Sequence, residues 1–142
     1  MPCPHCQHCR AVPVNEPRPL SGLRVAIVDD FEDALYLAGL WLDNAGAKVD
    51  KYSDAAEALE GIAATRPDVL VSDLAMPVRN GAWLISELRR EGWTVPAIAL
   101  SACVREQDVA EARRVGFSDH VSKPVLPAVL VAAVARAAGR GV

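Results

Sequence analysis

Strict alternation is the feature that most constrains this chain. From Arg24 onward, five short apolar runs each give way to a segment with helical spacing. The runs are 24–28 (RVAIV), 48–52 (KVDKY), 69–71 (VLV), 95–100 (VPAIAL) and 120–122 (HVS). They are too short for helices, and the β-branched content of 69–71 suits a strand covered on both faces. The helical segments span 34–45, 55–65, 82–91, 105–115 and 126–138. In the first, Leu35, Leu37, Ala38, Leu40, Trp41 and Leu42 cover most of two turns. The second carries Ala55, Ala58, Leu59 and Ile62 on one face, and the third carries Trp83, Leu84, Ile85 and Leu88. Ser53-Asp54 offers an N-terminal cap, while Gly46, Gly92 and Gly116 stop three of the helices. Pro77 and Asn80-Gly81 break the chain after the third strand. Five βα units in strict order predict a parallel sheet with helices on both faces and right-handed crossovers. Such a sheet binds ligands outside the carboxyl ends of its strands, at the topological switch point.

Residues 1–22 read differently, as a Cys/His-rich and Pro-rich extension ahead of a folded domain over 23–142, whose packing is expected to start near Leu23. Prolines at 13, 17 and 19 favour extended structure there. A length of 142 residues suits one domain with a substantial core, so the four cysteines do not argue for a disulfide scaffold. A net charge of -3 leaves no electrostatic footprint for nucleic acid. No apolar run approaches the roughly 18 residues of a membrane helix, and the N-terminus has no signal-peptide core. The expectation is a cytoplasmic protein that binds neither nucleic acid nor membrane.

Four features fall at the predicted binding edge: Asp29-Asp30 after the first strand, Asp73 after the third, Ser101 after the fourth and Lys123 after the fifth. Each has a bland reading. The Asp pair and Ser101 can cap helices, and a lysine is usually a solvated charge. Their coincidence at one edge points further. Converging carboxylates repel and call for a cation, and hard oxygen ligands with few other donors favour Mg2+. A carboxylate beside that ion can attack a phosphoryl group and form an acyl phosphate. The metal, an ammonium and a hydroxyl then stabilise the transferring oxygens.

At these positions the chain resembles the receiver domain of a two-component response regulator. The matching motifs are VDDF at 28–31, SDLAMPVRNG at 72–81, ALSA at 99–102 and SKP at 122–124. Together they cover the whole folded part. The resemblance implies a flavodoxin-like doubly wound (βα)5 fold with strand order 2-1-3-4-5. It implies that Asp73 accepts phosphate from a phosphohistidine on a sensor histidine kinase or histidine phosphotransfer protein. The ion would be held by Asp30, Asp73 and the backbone carbonyl of Ala75, with Asp29 positioning it or acting through water. Ser101 would move to bind the phosphoryl group, Lys123 would pair with it, and Lys123-Pro124 would be a cis peptide. The implied protein is a stand-alone signalling domain, not an enzyme on a separate substrate, with output through contacts to a downstream protein.

Two departures from the family pattern stand out. His120 occupies the switch position where Tyr or Phe is usual, and imidazole is smaller, polar and able to titrate near neutrality. Ala75 and Cys103, two residues beyond Asp73 and Ser101, are small and non-acidic, so neither can hold an attacking water as a base. Ala75 also argues against a second reading, an aspartyl-phosphate phosphohydrolase, which usually carries its general acid at that place. In the last helix, Leu126, Val129, Leu130, Ala133 and Val134 make one core face, while Val125, Val131 and Ala132 extend beyond it. That surplus makes the region a candidate homodimer surface. Cys3, His5, Cys6, His8 and Cys9 form a candidate zinc site, although no second C-x2-C completes the usual pattern. A tail with metal- or redox-sensing character is the third reading, and an unstructured tail with redox-sensitive thiols is its plain alternative.

Overall fold

The computed structural model describes residues 18–102 and 106–140. Strands β1 (Arg24–Val28), β2 (Lys48–Tyr52), β3 (Val69–Asp73), β4 (Ala97–Ser101) and β5 (Asp119–Ser122) alternate with helices α1 (Glu32–Asn44), α2 (Ala55–Thr65), α3 (Gly81–Arg90), α4 (Glu106–Val115) and α5 (Pro127–Ala137). All pairings are parallel, and the sheet order is β2-β1-β3-β4-β5. This is the flavodoxin-like arrangement expected from the motifs.

The period-two geometry of a strand divides the core into two layers. Val25 and Ile27 of β1, Val69 and Val71 of β3, and Ile98 and Leu100 of β4 pack with Ala38, Leu42, Leu130 and Val134 of α1 and α5. Their neighbours Ala26, Val28, Leu70, Ala97 and Ala99 point the other way, against Ala58 and Ile62 of α2, Leu84, Ile85 and Leu88 of α3, and Ala112 of α4. Burying a leucine or isoleucine side chain contributes about 1.5–3 kcal/mol, so these two layers hold the sheet between its helices.

Local chemistry sets the helix starts. Asp54 accepts the Glu57 amide at 2.7 Å, as the Ser53-Asp54 pair suggested. Asn80 accepts the Trp83 amide at 2.9 Å, and Gly81 is the first residue of α3. The Asn-Gly pair therefore starts that helix as well as breaking the chain before it. Pro96 lies just ahead of β4, where its carbonyl accepts the Leu70 amide at 2.9 Å.

Just ahead of Leu23, Leu20 is fully buried and its amide donates to Ala45 O at 2.9 Å. One expectation about packing needs correction. On α5, Leu126 and Val129 are 59% and 46% exposed, while Val125 and Val131 pack against the core. In a helix almost wholly Ala, Val and Leu, the apolar pattern cannot fix which side turns inward; contact with β4, β5 and α1 does. Among the described residues, no helix is long and apolar enough to cross a membrane.

Candidate functional site

The order 2-1-3 places the switch point between β1 and β3, and the site assembles there. The β1–β3 ladder ends at the pair Val28–Ser72, after which β1 leads into Asp29-Asp30 and β3 ends at Asp73. One oxygen from each of Asp29, Asp30 and Asp73 lies within 4.8 Å of the others. Asp29 and Asp73 are buried at 3% and 4% exposure, and Asp30 is exposed. From the end of β5, Lys123 brings its Nζ to 3.1 Å from Asp73 Oδ1 and 3.9 Å from Asp29 Oδ2. The Lys123-Pro124 peptide bond is cis. Ser101, at the end of β4 and buried, completes the edge.

The structure weighs the bland readings directly. Phe31 is the N-cap of α1 and makes no side-chain cap bond, so Asp30 does not cap that helix. Asp29 Oδ1 accepts the Phe31 amide at 2.9 Å, which holds the β1–α1 turn and aims the other oxygen at Lys123. Burial raises the Asp29 pKa above the ordinary carboxylate value. The Phe31 amide opposes that rise, Asp73 adds to it, Lys123 lowers it, and Asp30 adds the remainder. One ammonium among three carboxylates leaves net negative charge at a partly buried place. The donor set is therefore hard, oxygen-only and under-neutralised, and it fits Mg2+.

Among the described residues, two cavities flank the site. One of about 270 Å³ lies beside Asp29 and Lys123, walled by Phe31, Ala34, Leu37, Trp41 and Pro124. The other, about 330 Å³, opens between α3 and α4 and reaches Ser101, Ala75 and Asp108. Ala75 itself is exposed. His120 pairs with Ala99 in the β4–β5 register, and its Nε2 is buried without a hydrogen-bond partner among the described residues. Cys103 and the candidate zinc ligands Cys3, His5, Cys6, His8 and Cys9 lie outside the described residues.

One participant escaped sequence reasoning. Ser72 is fully buried, and its hydroxyl donates to the carbonyl of Asp73 at 3.0 Å. The available signal was a polar residue inside an otherwise apolar strand, which usually means a specific partner.

Comparison with known proteins agrees with this geometry. The family model described as the response regulator receiver domain matches residues 25–135. An uncharacterized 14.6 kDa protein of Leptolyngbya boryana is 41% identical over 114 residues, covering 79% of this chain and 87% of that protein. The regulator of RpoS of Escherichia coli K12 is 34% identical over 108 residues, covering 76% of this chain and 32% of its own length. This chain thus spans about a third of that relative. Among solved structures, the Francisella response regulator 1452 receiver domain superposes with a TM-score of 0.80 at 27% identity, covering 84% of this chain and 98% of that one. Vibrio cholerae chemotaxis protein CheY4 superposes at 0.78 and 27%, covering 81% and 98%. With the acids, the lysine and the hydroxyl at the predicted strand ends, and the family match running from β1 into α5, the chain belongs to the response regulator receiver domain family.

Proposed function

We propose that this receiver accepts a phosphoryl group on Asp73 from a phosphohistidine of a histidine kinase or phosphotransfer protein, in a Mg2+-dependent reaction, and signals through protein contacts. The observation that carries the reading is the convergence of Asp29, Asp30 and Asp73 with Lys123 at the β1/β3 switch point. Asp29, Asp30, Asp73 and the Ala75 carbonyl would hold the ion. When bound, it neutralises charge on the carboxylates and on the phosphoryl oxygens.

The chain's own groups account for the remaining steps. Asp73 is the nucleophile: a carboxylate oxygen forms a bond to phosphorus as the phosphorus–nitrogen bond breaks, and the departing imidazole keeps the electron pair and takes up a proton. Lys123, 3.1 Å from Asp73 Oδ1, puts a positive charge where oxygen charge accumulates in the transfer. Ser101 offers a hydroxyl donor to the transferred group from the end of β4. Ser101 and His120 are the candidate switch, supported by the unspent Nε2 of His120 beside Ala99. Exposed Leu126 and Val129 offer an apolar face on α5 for a downstream protein or a second copy.

The test is intact-mass analysis after incubation with acetyl phosphate, with and without Mg2+, on the wild type and Asp73→Asn. A gain of one phosphate that needs Mg2+ and vanishes in the variant is expected. No gain in a wild type that demonstrably binds Mg2+ overturns the reading.

A further inference from the structure

We propose that Ser72 is a positioning residue for the metal-binding loop: its hydroxyl clamps the Asp73 carbonyl and so sets the course of the chain into Leu74 and Ala75. The inference rests on the functional reading above and deepens it. In β3, alternate carbonyls point toward β1 and β4. The Leu74 amide reaches Leu100 O at 3.0 Å, on the β4 side, so the Asp73 carbonyl faces β1. The last β1–β3 register pair is Val28–Ser72, and the β1 chain then turns away to place Asp29 and Asp30. The Asp73 carbonyl is thus at the point where the ladder runs out.

The Ser72 hydroxyl fills that place, at 3.0 Å from the carbonyl oxygen, on a side chain with no solvent exposure. From the other side comes the start of α3. The Gly81 amide donates to Leu74 O at 3.1 Å, and a Cβ on Gly81 would lie 2.5 Å from Asp73 O and 3.1 Å from Ser72 Oγ. The backbone of Asp73 and Leu74 is therefore held by Ser72, Leu100 and Gly81 together. The next carbonyl along is that of Ala75, the one assigned to the ion, on a residue exposed to solvent. Fixing the two peptides before it limits where that oxygen can point. Outer partners of this kind commonly change metal affinity on the order of 10-fold when removed.

The test pairs Ser72→Ala with Ser118→Ala. Ser118 Oγ also donates to a strand carbonyl, Ala97 O, at 3.0 Å, but at the opposite edge of the sheet. Both variants lose a hydroxyl-to-carbonyl bond, Ser72 at a fully buried place and Ser118 at an exposed one, and the unfolding measurement registers what each loss costs the fold. Mg2+ alone is titrated by calorimetry into each protein, and thermal unfolding is followed without metal. Ser72→Ala is expected to weaken Mg2+ binding about 10-fold, with Ser118→Ala binding as the wild type does. Equal Mg2+ affinity in Ser72→Ala and the wild type overturns the inference, whatever the unfolding temperature. So does an equal loss in Ser118→Ala, which would make the effect one of general stability. A wild type that binds no Mg2+ sinks the functional reading and takes this inference with it, whereas the two outcomes before it leave that reading standing.

Discussion

At the edge where the strands begin, Arg89 donates from both terminal nitrogens of its guanidinium to carbonyls, those of Trp93 at 2.9 Å, Val95 at 2.8 Å and Gly116 at 3.0 Å. At the edge where they end, Asp29 and Asp73 are more deeply buried, yet they face each other with Asp30 and share one lysine. Burial lowers the Arg89 pKa, but the side chain has a donor for each acceptor around it. Nearby Arg24 donates from Nε to Asp50 at 2.8 Å, and its amide donates to Asp68 at 2.8 Å. Charge at the first edge is consumed by the fold. Charge at the second is left over, and unspent buried charge marks a candidate functional site.

Substitutions on the two edges should therefore act with opposite signs. The largest effect expected is Arg89→Met, which leaves three carbonyls short of a donor and should cost about 2–3 kcal/mol in urea unfolding. Its Mg2+ affinity by calorimetry should stay within about twofold of the wild type, because the edges share no partner. A variant that lost stability and Mg2+ binding together would break the contrast.

Asp29→Asn should do the reverse. Because its pKa is raised on folding, Asp29 favours the metal-free fold below the unfolded carboxyl's pKa, and that contribution is lost as pH rises through the folded value. At a pH above the folded value the wild type bears the ionised, repelled carboxylate and the variant does not. The metal-free variant should melt higher, on the order of 3 °C, while its Mg2+ binding falls. The gain should shrink as the pH is taken down through the folded pKa. A variant no more stable than the wild type above the folded pKa would show that Asp29 is not strained by its neighbours.

The smallest effect sharpens the picture within the functional edge. Val78 has a φ of 67° and is 95% exposed, a left-handed conformation that β-branched residues avoid. Val78→Gly should stabilise the chain by roughly 0.5–1 kcal/mol, since it removes strain and sacrifices no packing. Equilibrium unfolding checks it, and an unchanged midpoint would mean the loop bears no strain there.

Legibility followed the range of the forces involved. VLV at 69–71 read as a strand because a short β-branched run satisfies few other structures, and Asp54 read as a cap because its partner is three residues away. Asp29, Asp30, Asp73, Ser101 and Lys123 were visible as chemical types at strand ends. The role of Arg89 was not visible, because its acceptors lie in the β4 and β5 entries, far from it in the chain or beyond the end of its helix. Ser72 was hidden for the same reason, since its value depends on where the β1 ladder ends and α3 begins.

The amino-acid sequence alone thus determined the order of elements, the two-sided strands and the kinds of group delivered to each loop, because period and capping act over a few residues. Only the tertiary structure decided which carbonyls Arg89 meets, which face of α5 turns inward, and which carbonyl Ser72 meets. Those depend on contacts between segments far apart in the chain, whose free energy appears only once the sheet has formed.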